Sequence, residues 1–90
     1  MKEKIYLVPL FYASNGKLPL SYEIIRHKKD MRYNFCKRNV NYCFDSIEEI
    51  KGLYGYSRMR IDESDNNLLY APNMKIAFNF HHSILKQIFY

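Results

Sequence analysis

The chain has 90 residues, of which 48% are hydrophobic and 17% aromatic, and its formal net charge is +5. Ninety residues suffice for one hydrophobic core, and nine Tyr with six Phe exclude the aromatic-poor composition of a disordered chain. Two cysteines are too few for a disulfide framework, and no stretch of the sequence is long and apolar enough to cross a membrane. We therefore expect a single soluble, cytoplasmic domain over residues 1–90, without a membrane partner.

Residues 4–25 predict a β-hairpin. Residues 4–13 are apolar on both alternating faces, as in a strand that is covered on both sides. A strong turn signal follows at residues 14–16, since Asn15 and Gly16 tolerate positive φ. From Leu18 to Ile24, large apolar residues recur at every second position, which predicts an antiparallel return strand. A helix over residues 21–34 is the alternative, but its apolar positions are poorly spaced for a helical stripe.

Residues 26–44 are the most basic stretch of the chain and predict a second β-hairpin. A charged connector at residues 27–32 leads to this hairpin, whose turn lies at Arg38 and Asn39. The two arms carry large side chains at alternate positions: Tyr33, Phe35, Val40, Tyr42 and Phe44. Aromatic side chains then pair across the hairpin, and such pairs stabilise a sheet by roughly 0.2–1 kcal/mol each.

The second half of the chain alternates between helix and strand signals. Ser46 and Glu49 have the spacing of a capping box and predict a helix over residues 46–54. Apolar and alternating runs predict strands at residues 56–61, 68–70 and 74–80, and residues 83–89 fit a short helix. Together the elements predict an α+β fold: a small, mostly antiparallel β-sheet built from hairpins, with one central short helix and a candidate C-terminal helix.

Charge is distributed unevenly along the chain. Residues 17–40 contain seven Lys and Arg against two acidic residues, whereas residues 45–65 contain three against six. A basic hairpin with aromatic residues is typical of a nucleic-acid surface, because cations hold phosphates and rings stack on bases, although ordinary solvated hairpins share the pattern. We predict contact with nucleic acid, or with a protein that handles it, through these residues: Arg26, Lys28, Lys29, Arg32, Tyr33, Lys37, Arg38, Tyr42, Tyr56, Arg58 and Arg60.

A protein-binding module is the competing prediction. Tyr is a favoured anchor of protein interfaces, and nine Tyr are present. Frequent Lys, Asn, Ile, Tyr and Phe are typical of AT-rich genes, such as those of phages and plasmids. The concrete form of this hypothesis is a phage- or plasmid-encoded inhibitor of a host enzyme or defence system, of the anti-CRISPR type. Salt separates the two hypotheses, since phosphate contacts weaken steeply as salt rises.

Three histidines permit a catalytic hypothesis, a small metal-independent ribonuclease. His27 or His81 would act as general acid or base. The cation that stabilises the transition state would be one of three residues: Lys28, Arg58 or Arg60. The strand–turn–strand cadence of residues 55–80 loosely resembles small bacterial ribonuclease toxins of the RelE kind, but the two long helices after the first strand of those toxins have no counterpart in the pattern. Binding without catalysis is the main prediction, so no catalytic residue is assigned.

A zinc site is the last alternative, with Cys36, Cys43, His81 and His82 as ligands. Structural zinc ligands come in close pairs, whereas six residues separate these two cysteines. Neighbouring histidines in a strand also point to opposite faces. The sequence contains no phosphate-binding glycine loop, dinucleotide fingerprint, HExxH motif or nucleophile elbow. We therefore predict neither a metal nor a cofactor.

Overall fold

The computed structural model describes residues 4–26 and 42–89. The first arm and the turn of the predicted second hairpin therefore lie outside the described residues. The same holds for His27, for Cys36 and for these predicted binding residues: Lys28, Lys29, Arg32, Tyr33, Lys37 and Arg38. The other predicted binding residues are described: Arg26, Tyr42, Tyr56, Arg58 and Arg60.

Within the described residues, five antiparallel strands form one sheet in the order β3-β1-β2-β5-β4. The strands are β1 (Ile5–Pro9), β2 (Ser21–Ile25), β3 (Tyr42–Phe44), β4 (Arg60–Ile61) and β5 (Leu68–Tyr70). The helices are α1 (Ile47–Lys51), a 3-10 helix (Tyr56–Arg58) and α2 (Met74–Phe89). This arrangement confirms the predicted α+β fold with a mostly antiparallel sheet.

The first hairpin forms as predicted, with β1 and β2 paired antiparallel. Its turn contains Gly16, which has a φ of 72°, and the Asn15 side chain accepts a hydrogen bond from the Lys17 amide at 2.9 Å. A residue with a Cβ is strained at such a φ, so the turn depends on the glycine that predicted it. The alternative helix over residues 21–34 is wrong at its start, because β2 occupies that position.

The neighbouring strands β1 and β2 are largely buried on both faces of the sheet, whereas Cys43 of β3 and both residues of β4 are exposed. On one face α2 covers the hydrophobic core, where the rings of Tyr22 and Phe80 meet edge-on with their centroids 5.3 Å apart. Alternate residues of β1 and β2 point to the other face, and Val8 and Glu23 are buried there. Burial on both sides explains why residues 5–9 form a continuous apolar run instead of an alternating one.

The helix α1 begins at the predicted capping residue. Ser46 Oγ accepts a hydrogen bond from the Glu49 amide at 3.4 Å, and the Glu49 carboxylate accepts one from the Asp45 amide at 2.9 Å. These contacts satisfy amide groups that a helix leaves unpaired at its start. The helix ends at Lys51, with Gly52 as its C-cap, so it is shorter than the prediction over residues 46–54.

The predicted strand over residues 56–61 is largely wrong. Its first three residues form the 3-10 helix, and only Arg60 and Ile61 pair with β5. The cause lies at Gly55, whose φ of 90° turns the backbone out of an extended path. The Arg58 amide then donates a hydrogen bond to the Gly55 carbonyl at 3.1 Å. Side-chain alternation does not reveal a turn that depends on the backbone of a single glycine.

The predicted strand over residues 74–80 is wrong, because these residues and the predicted helix at 83–89 form the single 16-residue helix α2. Asn73 begins it, since its side-chain oxygen accepts a hydrogen bond from the Ile76 amide at 2.9 Å. Met74 and Phe78 imitate strand alternation but are 51% and 59% exposed. The buried positions follow a helical period: Ile76, Ala77, Phe80 and Ile84. No helix of the described residues has both the length and the apolar character that spanning a membrane requires.

Candidate nucleic-acid interface

Two predicted binding residues, Arg58 and Arg60, line the same open groove, which we call the arginine groove. Its volume is about 410 Å³, and its lining consists of Ser57, Arg58, Met59, Arg60, Pro72, Asn73 and Ile76. This lining contains two guanidinium groups and no carboxylate. Oxyanions such as phosphate are the ligands that suit neighbouring guanidinium groups.

The 3-10 helix and β4 position the two arginines. Met59 lies between them in the chain and is only 8% exposed, whereas both arginines are exposed. Arg60 is the first residue of β4 and pairs with Tyr70 of β5. The buried Met59 therefore anchors the backbone, while the residues on either side of it present their charges at the surface.

Two acidic side chains within residues 45–65, Asp45 and Asp62, already bind other residues of the protein. Asp62 accepts hydrogen bonds from the hydroxyl and the amide of Ser64, and these bonds lower the pKa of Asp62. Asp45 forms an ion pair with Lys4 and raises the pKa of that lysine. Within residues 4–26 and 42–89, neither arginine of the groove forms an ion pair. No carboxylate of the described residues therefore occupies the position that an anion would take on either guanidinium group, even though acidic residues outnumber basic ones over residues 45–65.

The other described binding residues do not line the groove. Arg26 directly follows β2 and is exposed. Tyr42 is 7% exposed on the core face of β3, and its ring lies 6.2 Å from that of His81. Tyr56 is half-buried, with its ring 6.3 Å from that of Phe80. Both tyrosine rings thus make packing contacts that leave little free surface for stacking on a base.

His81 belongs to a separate cluster of rings between α2 and the sheet. Its Nδ1 atom lies 3.1 Å from the Tyr22 hydroxyl, and its ring packs against Tyr42. Burial, and to a lesser extent the neighbouring His82, lower the pKa of His81, which favours a neutral imidazole. Burial raises the pKa of Tyr22, and Tyr42 and Tyr12 act in the same direction. The cluster is therefore an uncharged, hydrogen-bonded contact.

The described residues do not form the site that either the catalytic hypothesis or the zinc hypothesis requires. His81 does not line the arginine groove, so the acid–base group and the cation of a ribonuclease do not meet there. The strand–turn–strand pattern on which the resemblance to ribonuclease toxins is based does not form over its last part, because residues 74–80 are helical. His82 is exposed and stacks on Phe78, with ring centroids 5.8 Å apart. No group of three His, Cys, Asp or Glu side chains in the described part of the chain could hold a metal ion.

Two residues with unusual environments are not predicted by the sequence pattern. Glu23 is only 5% exposed within the sheet, and Tyr54 is 74% exposed. A helix over residues 46–54 would place Tyr54 seven residues after Ile47, on the apolar stripe. Its exposure follows from the early end of α1 at Lys51, for which the spacing of apolar residues gives no signal.

No protein family model, no curated protein and no solved structure matches the chain. The fold class by itself carries no function, because one fold serves many activities. Function therefore has to be argued from the arginine groove and its surroundings.

Proposed function

We propose that the protein binds nucleic acid without catalysis and that the arginine groove is one of its phosphate contacts. The observation that carries the proposal is the presence of Arg58 and Arg60 on one groove whose lining contains no carboxylate. The net charge of +5, the isoelectric point of about 9.3 and the basic stretch at residues 17–40 support it. A positive field of this kind attracts a polyanion and raises its association rate.

Arginine suits this role for a geometric reason. Its planar guanidinium group presents N–H donors that bind two phosphate oxygens at once. Phosphate contacts position a strand but carry no information about its bases, so the groove favours binding that does not depend on sequence. The two arginines lie on either side of the buried Met59 in the chain, and both side chains line the groove.

The arginine groove offers binding groups but no general acid or base. Cleavage of RNA without a metal needs a side chain that exchanges a proton near neutral pH, most often histidine. The residue types that line the groove are Ser, Arg, Met, Pro, Asn and Ile, and none of them titrates near neutral pH. Binding alone is therefore the function that these residues support.

We place this activity in the cytoplasm. Cys43 is free and exposed, and thiols of this kind persist in a reducing compartment. The proposed ligand is present in the same compartment.

A protein that handles nucleic acid is the second candidate partner, as for a phage- or plasmid-encoded inhibitor. The observation that favours it is the exposure of large apolar side chains, since Phe11 is 65% exposed and Phe78 is 59% exposed. Aromatic side chains are enriched at protein interfaces. An interface of this type would persist as salt rises, whereas phosphate contacts would weaken.

Titration of the purified protein into a labelled oligonucleotide at increasing salt tests the proposal. We expect binding at low salt and a steep loss of affinity as the salt concentration rises. A pull-down from a host lysate, with and without nuclease treatment, distinguishes the second candidate. Failure to bind any oligonucleotide at low salt, together with a defined protein that is retained after nuclease treatment, would contradict nucleic-acid binding.

A further inference from the structure

Tyr54 presents its ring to solvent from a fixed backbone. It is 74% exposed, more than any other large hydrophobic side chain in the described part of the chain. The Ser83 hydroxyl lies 3.0 Å from the Tyr54 carbonyl oxygen and 2.7 Å from that of Phe80, so its one proton is shared between the two carbonyls and links this turn to α2. Leu53, directly before it, is buried in the hydrophobic core.

The residues that follow Tyr54 are held against the same helix. Gly55 has a φ of 90°, and a Cβ built on it would lie 3.3 Å from the backbone nitrogen of Phe80. Tyr56 packs its ring on that of Phe80, with the centroids 6.3 Å apart. The backbone is thus fixed on both sides of Tyr54. The exposure of this ring is therefore a property of the packed fold and not of a loosely attached loop.

Tyr54 is also close to the arginine groove along the chain. Ser57 and Arg58 line that groove. Ser57 is three positions after Tyr54 in the chain, so their Cα atoms lie at most about 11 Å apart. A single strand that extends a few nucleotides beyond the groove is therefore long enough to reach Tyr54.

We infer that Tyr54 and the arginine groove form a binding site for single-stranded nucleic acid, in which Tyr54 stacks on an unpaired base while Arg58 and Arg60 hold neighbouring phosphates. This inference rests on the proposed function and adds that the bound nucleic acid is single-stranded. An aromatic side chain stacks on a base only where the base is splayed out of a duplex. Because every base has a π face, such a site accepts strands of any sequence.

A protein partner fits this surface less well than a single strand does. Tyr and Arg are both frequent at protein interfaces, but the core of such an interface is apolar, whereas the residues exposed next to Tyr54 in the chain are polar or cationic: Ser57, Arg58 and Arg60. An aromatic ring beside cations is the combination that holds single strands, with the cations along the backbone and the ring beneath a base.

The chain contains no Trp, and this provides a direct test of stacking. Tyr54→Trp introduces a single indole, whose fluorescence is quenched when a base stacks on it. We expect quenching by an unlabelled oligothymidine strand and none by the same strand annealed to its complement. Phe11→Trp is the matched control, because Phe11 is 65% exposed and does not line the groove. Its fluorescence should not respond to either ligand.

Fluorescence anisotropy with a labelled single strand measures what the ring contributes to affinity. Tyr54→Ala should weaken binding by about 5- to 150-fold, the range for the loss of one stacked base, whereas Tyr54→Phe should bind as the wild type does. Phe11→Ala should bind as the wild type does. Thermal unfolding of each variant checks that the fold is retained, as expected for exposed side chains.

The outcomes separate this inference from the proposed function. If Tyr54→Ala binds the single strand as tightly as the wild type while Arg58→Gln weakens binding, the stacking inference is overturned and the proposed function stands. Equal losses of single-strand and duplex affinity in Tyr54→Ala, or equal quenching in the Phe11→Trp control, also overturn the inference. If the wild type binds neither ligand at low salt, both the inference and the proposed function are overturned.

Discussion

The Tyr22 hydroxyl lies 3.1 Å from Nδ1 of His81, and this contact joins β2 to α2 within the core. Tyr22 is fully buried, and burial raises its pKa, so the hydroxyl keeps its proton and needs an acceptor, which Nδ1 provides in the neutral tautomer with the ring proton on Nε2. His81 therefore carries its own proton on Nε2, as a neutral imidazole. Protonation of Nδ1 would turn the acceptor into a donor and leave the proton of the buried Tyr22 hydroxyl without an acceptor.

The Tyr22–His81 contact predicts that the protein loses stability in acid. Burial and His82 hold the pKa of His81 below its usual 6.5, so the unfolded chain binds more protons than the folded chain between those two pKa values. The free energy of unfolding therefore falls as the pH drops below 6.5 and stops falling from this cause once the pH is below the folded-state pKa. Urea unfolding at a series of pH values measures the effect.

Two asparagine variants assign this pH dependence to one histidine. His81→Asn retains an acceptor near the position of Nδ1 but does not titrate, so it should flatten this part of the stability profile. His82→Asn is the control, because it removes only the lesser cause of the lowered His81 pKa and leaves the burial of His81 unchanged, so its profile should keep most of the wild-type pH dependence. A His81→Asn profile as steep as that of the wild type would assign the acid sensitivity to another group.

Tyr22→Phe removes the hydroxyl but retains the ring that packs on Phe80. We expect the free energy of unfolding near neutral pH to fall by about 0.5–1.5 kcal/mol, the range for one hydrogen bond. Tyr54→Phe is the control, since it removes a hydroxyl from an exposed ring and should leave the stability unchanged. Equal losses in the two variants, measured by urea unfolding, would contradict a structural role for the Tyr22–His81 contact.

Gly55→Ala and Gly16→Ala compare two glycines that share a positive φ but differ in their surroundings. Their φ values are 90° and 72°, in the left-handed region that costs other residues about 1–2 kcal/mol. A Cβ at Gly16 would meet nothing within 4 Å, whereas a Cβ at Gly55 would lie 3.3 Å from the backbone nitrogen of Phe80. We expect Gly55→Ala to be the more destabilising variant in urea unfolding. Equal losses would mean that the turn at Gly55 moves away from α2 without penalty.

The parts of the fold that the sequence predicts are those that local interactions build. Asn15 and Gly16 predict the first turn because Gly16 itself adopts the positive φ and the Asn15 side chain accepts a hydrogen bond from the Lys17 amide. Ser46 predicts the start of α1 through its own hydrogen bond. Of α2, only residues 83–89 are predicted as helix, because Met74 and Phe78 imitate the alternation of a strand in its first half. Only packing against the sheet selects the helical period there.

The residues of the candidate site likewise divide into those that the sequence predicts and those that depend on the folded structure. Arg58 and Arg60 follow from the charge pattern, but their common groove depends on the turn that Gly55 makes. The core position of Tyr42 is not predicted, because alternation alone does not tell which face of a strand is buried. The exposure of Tyr54 is not predicted, because it depends on where α1 ends.

The dependence of affinity on salt concentration tests the arginine groove most directly. For a single strand, each phosphate contact contributes about 0.7 to the slope of log K against the logarithm of the salt concentration. We predict that Arg58→Gln combined with Arg60→Gln weakens binding and makes this slope shallower by about 1.4. The matched variant, Lys51→Gln with Lys86→Gln, removes two exposed cations outside the groove and should keep the wild-type slope. A double arginine variant with the affinity and slope of the wild type would contradict a phosphate-binding groove.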